Sequence, residues 1–326
     1  MLLRPRRLRQ SRAMRDLVQE NNLSVNDFIY PLFIKDEQNA FEEIQSMPGI
    51  HRFGGERLLY EIEELLALGI KSVVLFPLTN SELKNSQAIE SYNANNLTCR
   101  TIRALKKRFP ELVIMTDIAL DPYTDHGHDG IIVDGKIAND ETVKVLCKMA
   151  LAQAEAGADI LGPSDMMDGR VHAIRKALEA EGHPDVCILS YTAKYASCLY
   201  GPFRDALQSA NYGIDESIPR DKKTYQMNIA NSVEALRELE LDVEEGADMV
   251  MIKPAGWYLD IIRQVKDRAN IPVVAYQVSG EYSMILASVQ AGLMKREQAI
   301  YESLLSIKRA GADLILSYFA KELFSL

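Results

Sequence analysis

The stretch AGADIL at residues 156–161 decides the fold, because close copies of it recur along the chain. The sequence reads EGADMV at residues 245–250 and AGADLI at residues 310–315, and a looser copy, LGIKSVV, spans residues 68–74. Each copy follows an amphipathic segment and leads into a short apolar run. Glycine just past the end of a helix is a common C-terminal cap. The repeat therefore predicts a unit of helix, glycine cap, short loop and strand.

This rhythm predicts an α/β fold in which eight buried strands alternate with helices. The strands are expected at Ile29–Ile34, Ser72–Pro77, Val113–Asp117, Asp159–Gly162, Cys187–Tyr191, Met249–Lys253, Val273–Gln277 and Leu314–Tyr318. The helical stretches are expected at Gly55–Leu68, Asp140–Ala156, Met167–Glu181, Ser232–Glu245, Tyr258–Ala269 and Arg296–Ala310. Eight such units favour a closed (β/α)8 TIM barrel. An open doubly wound sheet is the alternative, but no Gly-x-Gly-x-x-Gly motif follows a strand.

One barrel domain and an N-terminal arm account for the 326 residues. No convincing linker divides the chain, so we expect residues 29–326 to form the barrel, with an active-site lid around residues 195–226. Residues 1–28 exceed what a barrel needs and are expected to contact a neighbouring subunit. The arm carries a run of arginines, for which a solvated arm or a subunit contact is favoured over nucleic-acid or membrane binding.

Composition narrows the class of protein further. A net charge of -9 argues against general nucleic-acid binding, which usually requires a basic domain. The chain has no apolar stretch of about 20 residues that would span a membrane and no apolar core of a secretory signal at its start. The four cysteines show neither disulfide-like nor metal-like spacing. We therefore expect a cytoplasmic protein that binds neither nucleic acid nor membrane.

Lys253 is the most informative single residue, because it ends the apolar run MVMIK at residues 249–253. Lysine is almost never fully buried without a partner or a function, so it is either a paired structural cation or an activated amine. Lys194 also closely follows an apolar strand. Active sites of such barrels lie at the C-terminal ends of the strands. The other polar residues expected at these ends are Asp117, Ser164, Ser279 and Tyr318.

Two neighbouring lysines offer a reason for activation. Lysine reacts with carbonyl compounds only as the neutral amine, so activity near pH 7 requires its pKa to fall by about 3 units, roughly 4 kcal/mol. Burial and a second cation both lower the pKa of a lysine. The spacing alone leaves imine chemistry and a structural ion pair as open alternatives for Lys253.

Two polar segments are candidates for supporting roles. The loop at residues 117–130 contains four aspartates and two histidines, which favours either oxygen ligands for a divalent cation or a hydrogen-bonded lid. The long stretch at residues 194–226 is typical of a functional lid. Within it Arg204 and Lys222 are candidate clamps for a carboxylate, although either type of residue alone is more often a surface cation.

Several motifs in one order resemble the porphobilinogen synthase (5-aminolevulinate dehydratase) family. They are MIKP at 251–254, SYTAKY at 190–195, YGPFRD at 200–205, GPSDMMDGR at 162–170, YQVSGEY at 276–282 and RPRRLR at 4–9. The resemblance spans essentially the whole chain. It implies a TIM barrel whose arm wraps a partner subunit, usually in a homo-octamer. It also implies condensation of two 5-aminolevulinate molecules to porphobilinogen, with loss of water, in the synthesis of tetrapyrroles such as heme and chlorophyll.

The resemblance assigns roles residue by residue. Lys253 and Lys194 match the two imine-forming lysines, Lys253 for the substrate that becomes the propionyl side and Lys194 for the one that becomes the acetyl side. The matches to carboxylate-binding positions are Ser279 and Tyr318 for the first substrate and Arg204 and Lys222 for the second, with Arg220 competing with Lys222. Asp117 is a candidate for orienting the substrate amine or moving its proton, and Tyr191 and Ser164 are candidates for supporting hydrogen bonds.

The expected metal follows from a departure within the family. The zinc-dependent branch has three cysteines where this chain has Ala119, Asp121 and Asp129, and alanine offers zinc no ligand. We therefore expect no catalytic zinc and no organic cofactor, and a place in the aspartate-rich branch associated with magnesium. The allosteric magnesium position of the family falls on Glu238. Whether Asp121 and Asp129 also bind an ion is left open.

Two other functions fit parts of the sequence. A lysine-dependent class I aldolase on the same barrel would need one imine-forming lysine, so the second lysine disfavours it. A non-catalytic binding or structural barrel would keep both lysines ion-paired and unreactive.

Overall fold

Eight parallel strands close into a barrel in the computed structural model, which describes residues 2–209 and 218–325. The strands are β1 Phe28–Lys35, β2 Ser72–Leu78, β3 Val113–Ile118, β4 Ile160–Pro163, β5 Cys187–Lys194, β6 Met249–Lys253, β7 Val273–Gln277 and β8 Leu314–Ser317. Each pairs with the next in sequence, and β8 pairs with β1 to close the ring, with Phe28 opposite Ile315. The predicted (β/α)8 barrel is confirmed.

Helices surround the strands and follow most of the predicted boundaries within a few residues. Among the described residues they are α1 Arg12–Leu17, α2 Gly55–Ala67, α3 Leu97–Arg108, α4 Asn139–Glu155, α5 Arg170–Ala180, α6 Gly201–Leu207, α7 Val233–Glu244, α8 Leu259–Lys266, α9 Ser279–Gln290, α10 Arg296–Ala310 and α11 Ala320–Leu323. The helices α1, α3, α6, α9 and α11 were not expected from the sequence. An antiparallel pair, Phe41–Glu43 with His51–Phe53, adds to the edge of β1. None of the described helices is long and apolar enough to cross a bilayer.

The repeated Gly-Ala-Asp sequence has a physical cause at the bottom of the barrel. Its glycine takes a positive φ directly after a helix, with values of 102° at Gly157, 101° at Gly246 and 120° at Gly311. This is the left-handed region that L side chains rarely adopt. The glycine therefore lets each helix stop and turn into the next strand, as the predicted C-terminal caps require.

The aspartate of each repeat joins its strand to the preceding one. Its carboxylate accepts the backbone N–H of the neighbouring strand, from Ile114 to Asp159 at 2.7 Å, from Ile188 to Asp248 at 2.7 Å and from Val273 to Asp313 at 2.8 Å. Each carboxylate also pairs with a basic side chain, the first with Lys106, the second with Arg175 and the third with Lys266. The repeat thus sets the register at which successive strands enter the barrel.

The other end of the barrel brings the two lysines together. β5 runs to Lys194, three residues beyond its predicted end, and Lys194 lies opposite Lys253 in the parallel ladder with β6. The arm before β1 is mostly exposed and contains α1 and a short 3-10 helix, Pro5–Arg9. The proposed lid around residues 195–226 is described except for residues 210–217.

The aspartates of the repeat predict a stability test. Replacing Asp313 by alanine leaves the Val273 N–H without its carboxylate, so we expect Asp313→Ala to lower the free energy of unfolding by about 1–3 kcal/mol. Urea denaturation followed by circular dichroism measures this loss. The control is Lys71→Ala, at the exposed position of the looser repeat where the aspartate is missing. Equal effects of the two substitutions would contradict this role of the aspartate.

Candidate active site

Lys253 lies among aromatic rings at the end of β6. Its side chain is buried, and its Nζ is 4.6 Å from the ring centre of Tyr276 and 5.1 Å from those of Tyr191 and Phe203. The Tyr200 ring centre is 5.3 Å away, and the Tyr200 hydroxyl donates a hydrogen bond to the Lys253 carbonyl at 3.1 Å. Within the described residues no carboxylate forms an ion pair with Lys253. The structure therefore does not support the ion-paired alternative for this lysine.

This surrounding lowers the pKa of Lys253 to about 7. The main cause is burial, which disfavours the charged amine, and the second is the positive charge of Lys194. The carboxylates of Asp117, Asp121 and Asp129 oppose the decrease. A lysine with this pKa is a neutral nucleophile in a large fraction of molecules at pH 7.

Lys194 lies beside Lys253 in a more polar surrounding. Its Nζ donates a hydrogen bond to the carbonyl of Ser164 and lies 3.8 Å from the carboxylate of Asp129. It is also 5.9 Å from the ring centre of Tyr191, the ring that contacts Lys253. The two lysines thus share one aromatic ring, but within residues 2–209 and 218–325 only Lys194 has a carboxylate partner within 4 Å.

Asp117 and Tyr191 both lie near the two lysines and carry buried polar atoms. The Oδ1 of Asp117 and the hydroxyl of Tyr191 are buried without a hydrogen-bond partner. Burial raises the pKa of Asp117, while Lys253 and Lys194 oppose the increase. Unpaired buried polar atoms are costly, so they are typical of positions that a ligand completes. Asp117 is therefore placed where the sequence expects it.

Lys222 pairs with two aspartates of the loop after β3. Its Nζ is 3.0 Å from Asp129 and 3.5 Å from Asp121, and all three side chains are buried. Burial alone would raise the pKa of Asp129, but Lys194 and Lys222 lower it below its usual range. Burial raises the pKa of Asp121, Lys222 opposes that rise, and the Asp129 anion adds to it. A lysine thus lies between the two carboxylates that the sequence offered as metal ligands.

Three of the predicted carboxylate-binding residues, Ser279, Tyr318 and Arg204, adjoin Phe203 or Tyr276, two of the aromatic residues around Lys253. The Ser279 hydroxyl accepts the backbone N–H of Phe203 at 3.0 Å, which places it next to the ring that covers Lys253. The Tyr318 hydroxyl is 2.8 Å from that of Tyr276. Arg204 directly follows Phe203 on α6 and is half-buried. All three residues follow strands of the barrel at the end that holds the lysines.

Glu238 lies outside this group. It lines a separate cavity of about 750 Å³, together with Asp168, Glu234 and the exposed Arg220. The pKa of Glu238 rises to about 6 because of burial, Arg170 opposes the rise, and the carboxylates of Asp242, Asp168 and Glu234 add to it. In residues 2–209 and 218–325 no three acidic, histidine or cysteine side chains converge as a metal site. Arg220 belongs to this cavity, whereas Lys222 shares the carboxylate of Asp129 with Lys194.

The aromatic lining of the site is the part that the sequence does not reveal. Tyr200 and Phe203 belong to a quoted motif, and Tyr276 ends a predicted strand, but nothing local marks their rings as neighbours of Lys253. They meet only because the segment after β5 folds over β6 and β7. Gly280 permits this packing, since a Cβ there would collide with the carbonyl of Leu199. The only local signal is the clustering of aromatic residues around the lysine motifs.

A barrel whose adjacent strands end in two buried lysines, one with a depressed pKa, defines an enzyme that uses lysine against carbonyl compounds. The family model described as delta-aminolevulinic acid dehydratase matches residues 2–326. The chain therefore belongs to the delta-aminolevulinic acid dehydratase family. Membership confirms the predicted activity: the protein is a dehydratase of 5-aminolevulinate, a porphobilinogen synthase.

Individual relatives agree with this assignment. The chain is 53% identical over 320 residues to the delta-aminolevulinic acid dehydratase of Bradyrhizobium diazoefficiens, covering 98% of this chain and 89% of that protein. It is 56% identical over 325 residues to the chloroplastic enzyme of Physcomitrium patens, covering 98% and 73%. The Toxoplasma gondii enzyme, solved with its reaction product porphobilinogen, superposes with a TM-score of 0.96 at 50% identity, covering 100% of this chain and 91% of that one.

The charge of Lys194 predicts a pH effect on Lys253. Because the cation lowers the pKa of Lys253, Lys194→Met should raise it and move the pH midpoint for Lys253 modification upward. At pH 7 we expect about ten-fold slower trapping of a carbonyl compound on Lys253 by cyanoborohydride. Lys194→Arg keeps the charge and serves as the control, with a midpoint near 7. An unchanged midpoint in Lys194→Met would contradict the electrostatic coupling.

Proposed function

We propose that the protein condenses two 5-aminolevulinate molecules to porphobilinogen by holding one as an imine on Lys253 and the other as an imine on Lys194. The observation that supports this most is the placement of the two lysines on adjacent strands, in register, with the pKa of Lys253 near 7. A class I aldolase needs one such lysine. No feature of the described residues favours that alternative over the two-lysine reaction.

Lys253 is the first nucleophile in this proposal. A pKa near 7 instead of 10.5 raises its neutral fraction at pH 7 by about a thousand-fold. The neutral Nζ adds to the substrate ketone, and the adduct loses water to give the imine. When protonated, the imine withdraws electrons and makes the adjacent carbon acidic. The aromatic rings around Lys253 exclude water from this step.

Lys194 supplies the second attachment in the same way. Joining both ketones to one protein turns a bimolecular condensation into an intramolecular reaction, a gain of about 7–11 kcal/mol in favourable cases. The carbon next to one imine attacks the imine carbon of the other substrate, and elimination then releases that lysine as its free amine. The free amine of one substrate attacks the remaining imine carbon, which closes the ring and releases the second lysine. The two waters of the overall reaction are those lost when the two imines form. Asp117, with its unpaired Oδ1, is the proposed acceptor of the amine proton.

The carboxylates of the two substrates require separate partners. Ser279 and Tyr318 offer hydroxyl groups near Lys253, and Arg204 offers a cation on the adjoining helix α6. Lys222 is the proposed second cation for the substrate on Lys194. It pairs with Asp121 and Asp129, so a substrate carboxylate would have to share or exchange that pairing.

Zinc has no role in the proposed site. Position 119 is a buried alanine, and the oxygens of Asp121 and Asp129 face Lys222, so the donor set lacks the thiolates that zinc prefers. Magnesium suits the cavity at Glu238, because that ion needs one or two carboxylates and retains its waters. Glu238, with Asp168 and Glu234 nearby, would hold it and act from outside the active site. On these grounds we propose that the chain belongs to the aspartate-rich, zinc-independent branch.

The proposed setting is a cytoplasmic homo-octamer in which the arm at residues 1–28 contacts a neighbouring subunit. Support comes from the arm itself, whose large apolar side chains Leu2, Leu3, Leu8 and Leu17 are exposed. An arm that folded on its own barrel would bury such residues.

The two-imine proposal predicts distinct labelling of the lysines. Borohydride reduction with 5-aminolevulinate should place an adduct on Lys253 in the wild-type protein, detected by peptide mass mapping. Lys253→Ala should abolish activity, and Lys194→Ala should keep the Lys253 adduct while losing porphobilinogen formation. Absence of the Lys253 adduct in the wild type would refute the mechanism. Full activity of Lys194→Ala would refute only its two-lysine form.

The metal proposal predicts that activity survives a zinc-selective chelator and responds to magnesium. Glu238→Ala should weaken magnesium stimulation several-fold while the Lys253 adduct still forms, since Glu238 lies in a separate cavity. Arg237→Ala, on the adjacent exposed position of α7, is the matched control and should respond as the wild type does. Activity that is lost with the chelator and restored by zinc alone would contradict this proposal.

A further inference from the structure

Glu281 is a buried carboxylate that bridges the two loops following β6 and β7. It lies in the first turn of α9 and is 3% exposed. Its Oε2 accepts the backbone N–H groups of Val278 at 2.7 Å and Ala255 at 3.3 Å, and its Oε1 accepts that of Gly256 at 2.5 Å. One side chain thus holds three backbone amides from two different loops.

We propose that Glu281 is a positioning residue for the reaction, which fixes the backbone after Lys253 against the backbone that carries Ser279. The inference rests on the proposed role of Lys253 as an imine-forming lysine. In this inference Glu281 acts through Lys253 and Ser279 and does not contact the substrate.

The backbone hydrogen bonds between β6 and β7 do not extend to these two loops. The pairing of β6 with β7 ends at Ile252 opposite Ala275, one residue before Lys253. Ala255 and Gly256 follow Lys253 by two and three residues, and Val278 immediately precedes Ser279. The Glu281 carboxylate therefore connects the two loops just beyond the point where the pairing of β6 with β7 ends. Without it, no described hydrogen bond joins these two loops directly.

Helix capping accounts for only part of this arrangement. Glu281 is the third residue of α9, and its bond to the Val278 N–H is the usual bond of a capping glutamate. The bonds to Ala255 and Gly256 join a different loop, 26 and 25 residues away in sequence. A helix cap requires neither of these two hydrogen bonds, so they indicate that Glu281 has a role beyond capping.

Stability alone does not account for a carboxylate here. Burial raises the pKa of Glu281 to about 7, although the N–H groups of Val278, Gly256 and Ala255 oppose the rise. Among the ion pairs of the described residues, none involves Glu281. A buried acid without a cation is a costly way to stabilise a fold. Its three hydrogen bonds instead fix the geometry of the residues that react, which explains why a carboxylate is present here.

A substitution at Gly256 disturbs the same contact without changing Glu281 itself. A Cβ at this position would lie 2.6 Å from Oε1 of Glu281, with no other close contact than the carboxyl carbon at 3.8 Å. Gly256→Ala therefore displaces the carboxylate without removing the acid. Because Gly256 has no positive φ, alanine should not strain the backbone there.

The test compares Glu281→Gln with Gly256→Ala by following both lysine adducts. Cyanoborohydride trapping of 5-aminolevulinate, read by peptide mass mapping, gives a separate rate for Lys253 and Lys194. In both variants we expect the Lys253 adduct to form about ten- to a hundred-fold more slowly, with the Lys194 rate within about two-fold of wild type. Asp313→Ala is the control for a general loss of stability. It should leave the trapping rates of both Lys253 and Lys194 as they are in the wild type.

A Lys253 rate equal to the wild type in a folded variant would overturn the inference, and so would equal loss at both lysines. If Glu281→Gln does not fold, Gly256→Ala decides the matter by the same criterion. Failure of the proposed function gives a different result, because the wild-type protein itself would then lack the Lys253 adduct.

Discussion

The protonation state of the buried Lys253 amine determines the chemistry of the active site. The charged form of this amine is costly, because the rings of Tyr276, Tyr191 and Phe203 enclose it and no carboxylate among the described residues forms an ion pair with it. The protein resolves this cost by letting the amine give up its proton, which is the form that reacts with a ketone. The neighbouring Lys194 increases the effect, because two cations on adjacent strands repel each other. The barrel fixes this proximity through the parallel register of β5 and β6.

The other charged side chains at this end of the barrel give the two lysines different surroundings. Lys194 has the carboxylate of Asp129 nearby, and Lys222 pairs with both Asp129 and Asp121. The acidic residues thus neutralise one side of the site, and Lys253 is left on the apolar side. An asymmetric site of this kind can hold two identical substrates in different states. In the proposed reaction one substrate must supply a carbon nucleophile and the other a carbonyl carbon.

Much of the fold was predictable because its signals are local. The glycines and aspartates of the repeat act within a helix–strand unit, so all eight strands and both lysines could be placed from the sequence. The end of β5 was placed too early, because Thr192 and Ala193 extend a strand whose continuation depends on pairing with β6. The ion pairs of Lys222 and the three bonds of Glu281 join residues far apart in sequence. No local pattern encodes those contacts, and they emerge only when the barrel closes.

A direct titration of Lys253 tests the central claim most sharply. Lysine labelled with ¹³C at the ε-carbon reports the charge of each amine by NMR, and Lys253→Arg identifies the resonance by removing it. We expect a midpoint at about pH 7 for Lys253 in the substrate-free protein. A midpoint at about 10, the ordinary value for lysine, would show that the amine stays charged and would contradict its role as a neutral nucleophile.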